Sequence, residues 1–125
     1  MSAPWPQLLA LAQAEVNATI RALPKKLQRQ AQPLPVLYET HPNRMLQADG
    51  IEADTLGLFV GEPFAEGVLG AGPLPAQIIL FLDNLWDEAG GNESIYRQEV
   101  RATYLHEVGH YLGLDEDDLD ERGLG

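Results

Sequence analysis

Residues 106–110 read His-Glu-Val-Gly-His, within the longer stretch HEVGHYLGL at residues 106–114. Residues four apart on an α-helix differ by only about 40° in rotation, so His106 and His110 would project from one face, a turn apart. Two neutral imidazole nitrogens in that arrangement can bind one metal ion. Glu107 lies about 100° further around the helix, which suits a carboxylate that acts on water as a general base. The pattern therefore predicts a metal-binding helix.

The metal that this pattern favours is zinc. The chain has no cysteine, so any metal must be held by histidine and carboxylate groups. A catalytic zinc ion takes three protein ligands and keeps one position for water. The third ligand is expected beyond Gly113, which would end the helix and turn the chain back toward the metal through an acidic run. The HExxHxxG spacing favours Glu116, and the acids that could take its place are Asp115, Asp117 and Asp118.

Three stretches of the chain resemble one protein family. Residues 106–123, HEVGHYLGLDEDDLDERG, resemble the signature of the minimal zincin-like metallopeptidases, a bacterial family. TLGLFVGEPF at residues 55–64 and LPAQIILFLDNL at residues 74–85 resemble the two sheet segments of that family. The resemblance implies a zincin-like fold and a peptidase activity.

The resemblance also implies roles for individual residues. His106 and His110 would be zinc ligands, Glu107 would be the catalytic glutamate, and an acid near Glu116 would complete the site. The larger metzincins share HExxHxxG but use a histidine as third ligand and a Met-turn beneath the metal. Both methionines of this chain precede the motif, and no histidine follows it. The floor of the site must therefore be built in another way.

Hydrophobic periodicity and turn residues divide the chain into elements. A first helix is predicted at residues 6–22, because apolar residues recur every three or four positions before Pro24. The last helix is predicted to begin with Asn92 or Ser94 as its cap and to stop at Gly113. Strands are predicted at residues 34–38, 55–60 and 77–82, with loops at residues 41–54 and 61–75.

The order of helix, strands and long helix predicts one α+β domain over residues 1–125. In this fold a small mixed sheet is covered by the N-terminal helix and by the HExxH helix. A chain of 125 residues has the usual size of one domain, and two domains would each be short of core. Tyr111 is expected to pack rather than to take part in catalysis. The stripe of the last helix that faces the sheet is predicted to contain Tyr96, Val100, Tyr104 and Val108.

The charge balance narrows the range of partners. The chain has 19 acidic and 8 basic residues and a net charge of -11, which disfavours binding to nucleic acids and to anionic membranes. No stretch approaches the ~20 apolar residues that cross a bilayer. The N-terminal apolar run lacks the preceding basic residues of a signal peptide. Together with the absence of cysteine, these features favour a cytoplasmic location.

Two hypotheses for the function stay open. The first is a zinc peptidase whose substrate, a peptide or an exposed protein segment, lies along a sheet edge formed by one of the two later strands. The second is a zinc-containing module that binds a peptide or protein without turnover. Glu107 favours the first, because a structural zinc site needs no general base. The sequence indicates neither an oligomeric state nor a particular substrate.

Other polar residues have more general expectations. Glu99, Asp83 or Asp87 could accept a hydrogen bond from the ligand imidazoles and orient them, as metal-binding histidines require. His41 stands in a polar His-Pro-Asn segment and is expected to be exposed and unrelated to the site.

Overall fold

The computed structural model of the chain describes residues 3–61 and 76–114. A small sheet with one parallel and one antiparallel strand pair lies between an N-terminal and a C-terminal helix in the chain, which confirms the α+β class. In chain order the elements are α1 (Trp5–Ala22), α2 (Lys25–Ala31), β1 (Val36–Glu39), α3 (Arg44–Ala48), β2 (Gly57–Val60), β3 (Gln77–Phe81), α4 (Leu82–Glu88) and α5 (Glu93–Leu112).

The described strands form one mixed sheet with β3 at its centre, in the order β1-β3-β2. β1 runs parallel to β3 and places Tyr38 opposite Leu80. β2 runs antiparallel to β3 on the other side and places Gly57 opposite the same leucine. β3 therefore has a partner on each side, and β1 and β2 are the described strands at an edge. The strands predicted at residues 34–38 and 55–60 each begin two residues later in the structure.

One hydrophobic core joins a face of the sheet to the helices. α5 packs on β2 and β3, and α1 and α4 pack on α5. The predicted stripe of α5 is buried along its whole length, because residues four apart on a helix share a face. Buried members of the core include Leu8, Ala12 and Val16 of α1, Ile78 and Leu80 of β3, and Tyr96, Val100, Tyr104 and Val108 of α5.

Both ends of α5 follow from local sequence. The side chain of Asn92 accepts a hydrogen bond from the backbone N–H of Ile95 at 3.0 Å, so Asn92 rather than Ser94 is the cap. At the other end Gly113 has a φ of 72°, a left-handed conformation that glycine adopts without steric cost. The predicted helix and its stop are confirmed.

The third strand ends one residue earlier than predicted because a helix follows it directly. Leu82, assigned to the strand from the sequence, instead begins α4. Leu82 and Leu85 are fully buried, and Trp86 meets Tyr96 edge-on with ring centroids 5.5 Å apart. With 7 residues, α4 is too short to show helical periodicity in the sequence, so tertiary packing decides its conformation.

The predicted loop at residues 41–54 is wrong in part, because it contains α3. Asn43 caps this helix by accepting a hydrogen bond from the backbone N–H of Leu46 at 2.9 Å. None of the residues of α3 is buried, so no apolar pattern could indicate it. The sequence also gives no prediction for α2, which follows Pro24 and buries only two side chains.

Candidate metal centre

Residues 106–110, near the C-terminal end of α5, present two histidines to solvent and one glutamate to the interior. The rings of His106 and His110 have centroids 4.5 Å apart, and both side chains are exposed. Glu107 is only 4% exposed. The three residues each offer a nitrogen or oxygen ligand atom, and these atoms lie within 4.8 Å of one another. The helix thus brings the three motif residues into one cluster whose donor atoms fit zinc.

Glu107 and His110 contact each other directly. Oε1 of Glu107 lies 3.1 Å from Nδ1 of His110. In a neutral imidazole that donates its Nδ1 proton to this carboxylate, Nε2 keeps a lone pair that can bind a metal ion. The sequence leaves the orienting carboxylate open among Glu99, Asp83 and Asp87, whereas the structure gives His110 a carboxylate from within the motif.

Burial changes the acidity of Glu107. Removal from water raises the pKa of its carboxyl group above the ordinary value, because the charged form loses hydration. The imidazoles of His110 and His106 oppose this effect and lower the pKa, but burial is the larger influence. A carboxyl group in this environment accepts a proton more readily than an exposed one, as a general base requires.

A groove of about 280 Å³ lies between β2 and α5, and we call it the strand–helix groove. The motif predicts only two of its lining residues. The sequence does carry a signal for a third, because an isolated glycine inside an apolar strand indicates the close approach of another backbone. The residues that line the groove are Leu56, Gly57, Ala102, Thr103, His106 and Glu107.

The structure distinguishes between the two later strands as candidates for substrate binding. β3 is paired on both sides, whereas β2 lies at the edge of the described sheet. β2 also lies against α5, where the rings of Phe59 and Tyr111 have centroids 5.7 Å apart. Of the two later strands, β2 is therefore the one with a free side among the described strands.

A second groove, of about 460 Å³, shares Leu56 with the first, and we call it the acidic groove. The Nδ2 amide of Asn84 donates hydrogen bonds to the carbonyl oxygens of Ala53 and Thr55, at 2.8 and 2.9 Å. These bonds tie the first turn of α4 to the segment before β2. The lining residues are Asp54, Thr55, Leu56, Asn84, Asp87 and Glu88, so Asp87 belongs to this groove.

The other aromatic and imidazole residues singled out in the sequence have packing or surface positions. Tyr104 is fully buried in the core. Tyr111 packs on Phe59, as expected for a packing residue. His41 is exposed, and its Nδ1 lies 3.1 Å from Oγ1 of Thr40.

The expected third ligand falls beyond the part of the chain that the structure describes. Glu116 and the three neighbouring acids belong to residues 115–125, and most of the predicted glycine-rich loop belongs to residues 62–75. Both segments lie outside the described residues. The third ligand therefore stays a prediction.

The fold and the cluster together define a class of protein. A small mixed sheet whose edge strand lies beside a helix with two exposed histidines, four residues apart, and a buried glutamate is the arrangement of a zincin. Residues 31–125 match the family model described as zincin-like metallopeptidase. This match spans most of the chain, which belongs to that family. No curated protein matches the chain. None of the helices in residues 3–61 and 76–114 has both the length and the apolar character to cross a membrane.

Proposed function

We propose that the chain is a zinc-dependent peptidase with Glu107 as its general base. The observation that supports this most directly is one buried carboxylate beside two exposed imidazoles on a single helical turn. A structural zinc site is normally closed by four protein ligands and has no use for such a base. The family match supports the same function.

His106 and His110 would hold the zinc ion, with Glu116 as the third protein ligand. Imidazole nitrogen and carboxylate oxygen are donors that zinc accepts. A bound zinc ion supplies Lewis acidity, which polarises a carbonyl group and lowers the pKa of water to about 7. The exposure of both imidazoles leaves this face of the helix accessible to a substrate.

Glu107 would carry the proton through the reaction. Its Oε1 accepts a hydrogen bond from Nδ1 of His110, which holds the carboxylate in place. Oε2 would take a proton from water as the hydroxyl adds to the carbonyl carbon of the peptide bond. Glu107 would then pass this proton to the leaving nitrogen as the C–N bond breaks. Burial supports this role, because it disfavours the charged carboxylate and so eases uptake of the proton.

The substrate that the geometry supports best is an extended peptide or an exposed protein segment. β2 lies at an edge of the sheet that the described residues form, and it contributes Gly57 to the groove that contains His106 and Glu107. An extended segment can add to an edge strand through main-chain hydrogen bonds. Such pairing would bring a peptide carbonyl to the strand–helix groove.

The proposal extends to the cellular compartment of the protein and to its class of partners. The absence of cysteine supports a reducing compartment, and we place the protein in the cytoplasm. The net charge of -11 supports partners other than nucleic acids.

The decisive experiment compares peptide hydrolysis by the zinc-loaded chain and by its Glu107→Gln variant, using a broad peptide library. Glu107→Gln should retain zinc but lose about 10²–10⁴-fold in rate, the usual contribution of a general base. Glu93→Gln is the matched control, because it makes the same change in the first turn of the same helix. Equal rates for the wild type and Glu107→Gln would overturn the peptidase and favour the alternative of a zinc-containing module that binds peptides.

A separate measurement tests the third ligand. Zinc affinity of Glu116→Ala, measured by competition with a chelator, should fall well below that of the wild type. An unchanged affinity would move the assignment to Asp115, Asp117 or Asp118.

A further inference from the structure

β2 lies against α5 at Gly57 with no room for a side chain. A Cβ atom added at Gly57 would lie 2.5 Å from Cγ2 of Thr103 and 3.5 Å from Cγ of Glu107. Non-bonded carbon atoms rest about 3.5–4.0 Å apart, so the added atom would overlap Thr103 by about 1 Å and would just touch Glu107. The spacing between strand and helix thus requires glycine at this position.

The neighbours of Gly57 cannot easily make room. Thr103 is β-branched and lies within α5, where such side chains have restricted rotamers. Cδ2 of Leu80 would also lie close, 3.3 Å from the added atom, and Leu80 is fully buried. A side chain at position 57 would therefore push β2 away from α5.

A second contact on the same face of β2 strengthens this coupling. Phe59 is two residues beyond Gly57 and packs on Tyr111 of α5. Thr103 lies just before the HEVGH motif, and Tyr111 follows it directly. The two contacts flank the motif and together define the distance of the strand from the turn that carries the reactive groups.

We propose that Gly57 is a positioning residue, which sets the distance between the peptide-binding edge strand and the turn of α5 that carries Glu107. The catalytic consequence rests on the peptidase function proposed above. A peptide paired with β2 moves with that strand, whereas His106 and Glu107 move with the helix. A misplacement of about 1 Å can slow a reaction about 10²-fold. Gly57 acts through this spacing and touches no reacting atom itself.

The test is a set of substitutions built on the contact between Gly57 and Thr103. Gly57→Ala introduces the overlap. Thr103→Ser removes only Cγ2 and keeps the hydroxyl group, so the double variant with Gly57→Ala restores the room. Thr103→Val keeps Cγ2 and replaces the hydroxyl group with a second methyl group, and its double variant with Gly57→Ala is the matched control that should not recover. Each double variant is compared with its own Thr103 single variant, which isolates the coupling between the two positions.

In the zinc-loaded chain, Gly57→Ala should lower kcat/KM about 10²-fold. Its zinc affinity should stay within about twofold of the wild type, because both ligand imidazoles lie on one helix. The Thr103→Ser double variant should recover most of the lost rate. A wild-type rate in Gly57→Ala, a loss that persists in the Thr103→Ser double variant, or a parallel loss of zinc affinity would overturn the proposal.

A second readout needs neither zinc nor turnover. In the zinc-free chain, the nuclear Overhauser effect between the ring protons of Phe59 in β2 and Tyr111 in α5 should weaken in Gly57→Ala and return in the Thr103→Ser double variant. If the wild type hydrolyses nothing, the peptidase function fails, while this signal still decides whether Gly57 sets the spacing. If Gly57→Ala alone does not fold, a folded Thr103→Ser double variant with the wild-type signal supports the contact. A double variant that also stays unfolded overturns it.

Discussion

Two parts of α5 differ in what they bury. The upper turns, residues 93–105, bury aromatic and aliphatic side chains in the core. The histidine turn, residues 106–110, still buries Val108, but it also buries the carboxylate of Glu107 and exposes both imidazoles. Because both parts belong to one continuous helix, the packing of the upper turns determines where the groups of the histidine turn lie. Substitutions in residues 93–105 are therefore expected to change the stability of the fold, and substitutions in the histidine turn to change metal binding and catalysis.

The largest expected effect of a substitution is a loss of stability in the upper turns. Tyr96 is fully buried, donates a hydrogen bond from its hydroxyl to the carbonyl oxygen of Leu8 at 2.9 Å, and contacts Trp86. Tyr96→Ala should lower the free energy of unfolding by about 3–5 kcal/mol, because it leaves a cavity in the core. Denaturant titration measures this loss. A loss below about 1 kcal/mol would remove the distinction between the two parts of the helix.

The next effect belongs to the histidine turn and leaves stability almost untouched. His106→Ala removes an exposed side chain, so the unfolding free energy of the zinc-free chain should change by less than about 0.5 kcal/mol. Zinc affinity should fall more than about 100-fold. Loss of a residue that only hydrogen-bonds to a metal ligand typically costs about 10–100-fold, and loss of a ligand itself should cost more. His41→Ala, at an exposed histidine outside the cluster, should change neither quantity. Undiminished zinc affinity in His106→Ala would contradict the proposed site.

The smallest expected effect comes from the hydroxyl group of Tyr104, which lies close to the boundary between the upper turns and the histidine turn. Among the described residues, the hydroxyl oxygen of Tyr104 is a buried side-chain atom without a hydrogen-bond partner. Tyr104→Phe removes this unpaired group and should raise the free energy of unfolding by on the order of 1 kcal/mol. Tyr96→Phe removes a paired hydroxyl and should lower it by about 1 kcal/mol. Equal losses in the two variants would show that the hydroxyl of Tyr104 has a partner.

The elements that could be predicted from sequence are those specified by neighbouring residues. The cap at Asn92, the stop at Gly113 and the buried stripe of α5 depend on contacts within four residues along the chain. The proximity of His106 and His110 has the same origin. α4 was not predictable in this way, because its seven residues become helical through burial of side chains such as Leu85 against distant parts of the chain.

The sequence by itself determined a helix with two histidines on one face, because a spacing of four residues becomes proximity as soon as the helix forms. Only the tertiary structure decided that β2 rather than β3 lies at an edge among the described strands, since strand order depends on pairing between distant segments. It also decided the burial of Glu107 and the close contact between Gly57 and Thr103. Both depend on how a strand and a helix far apart in sequence pack together, and no local sequence pattern specifies the distance between them.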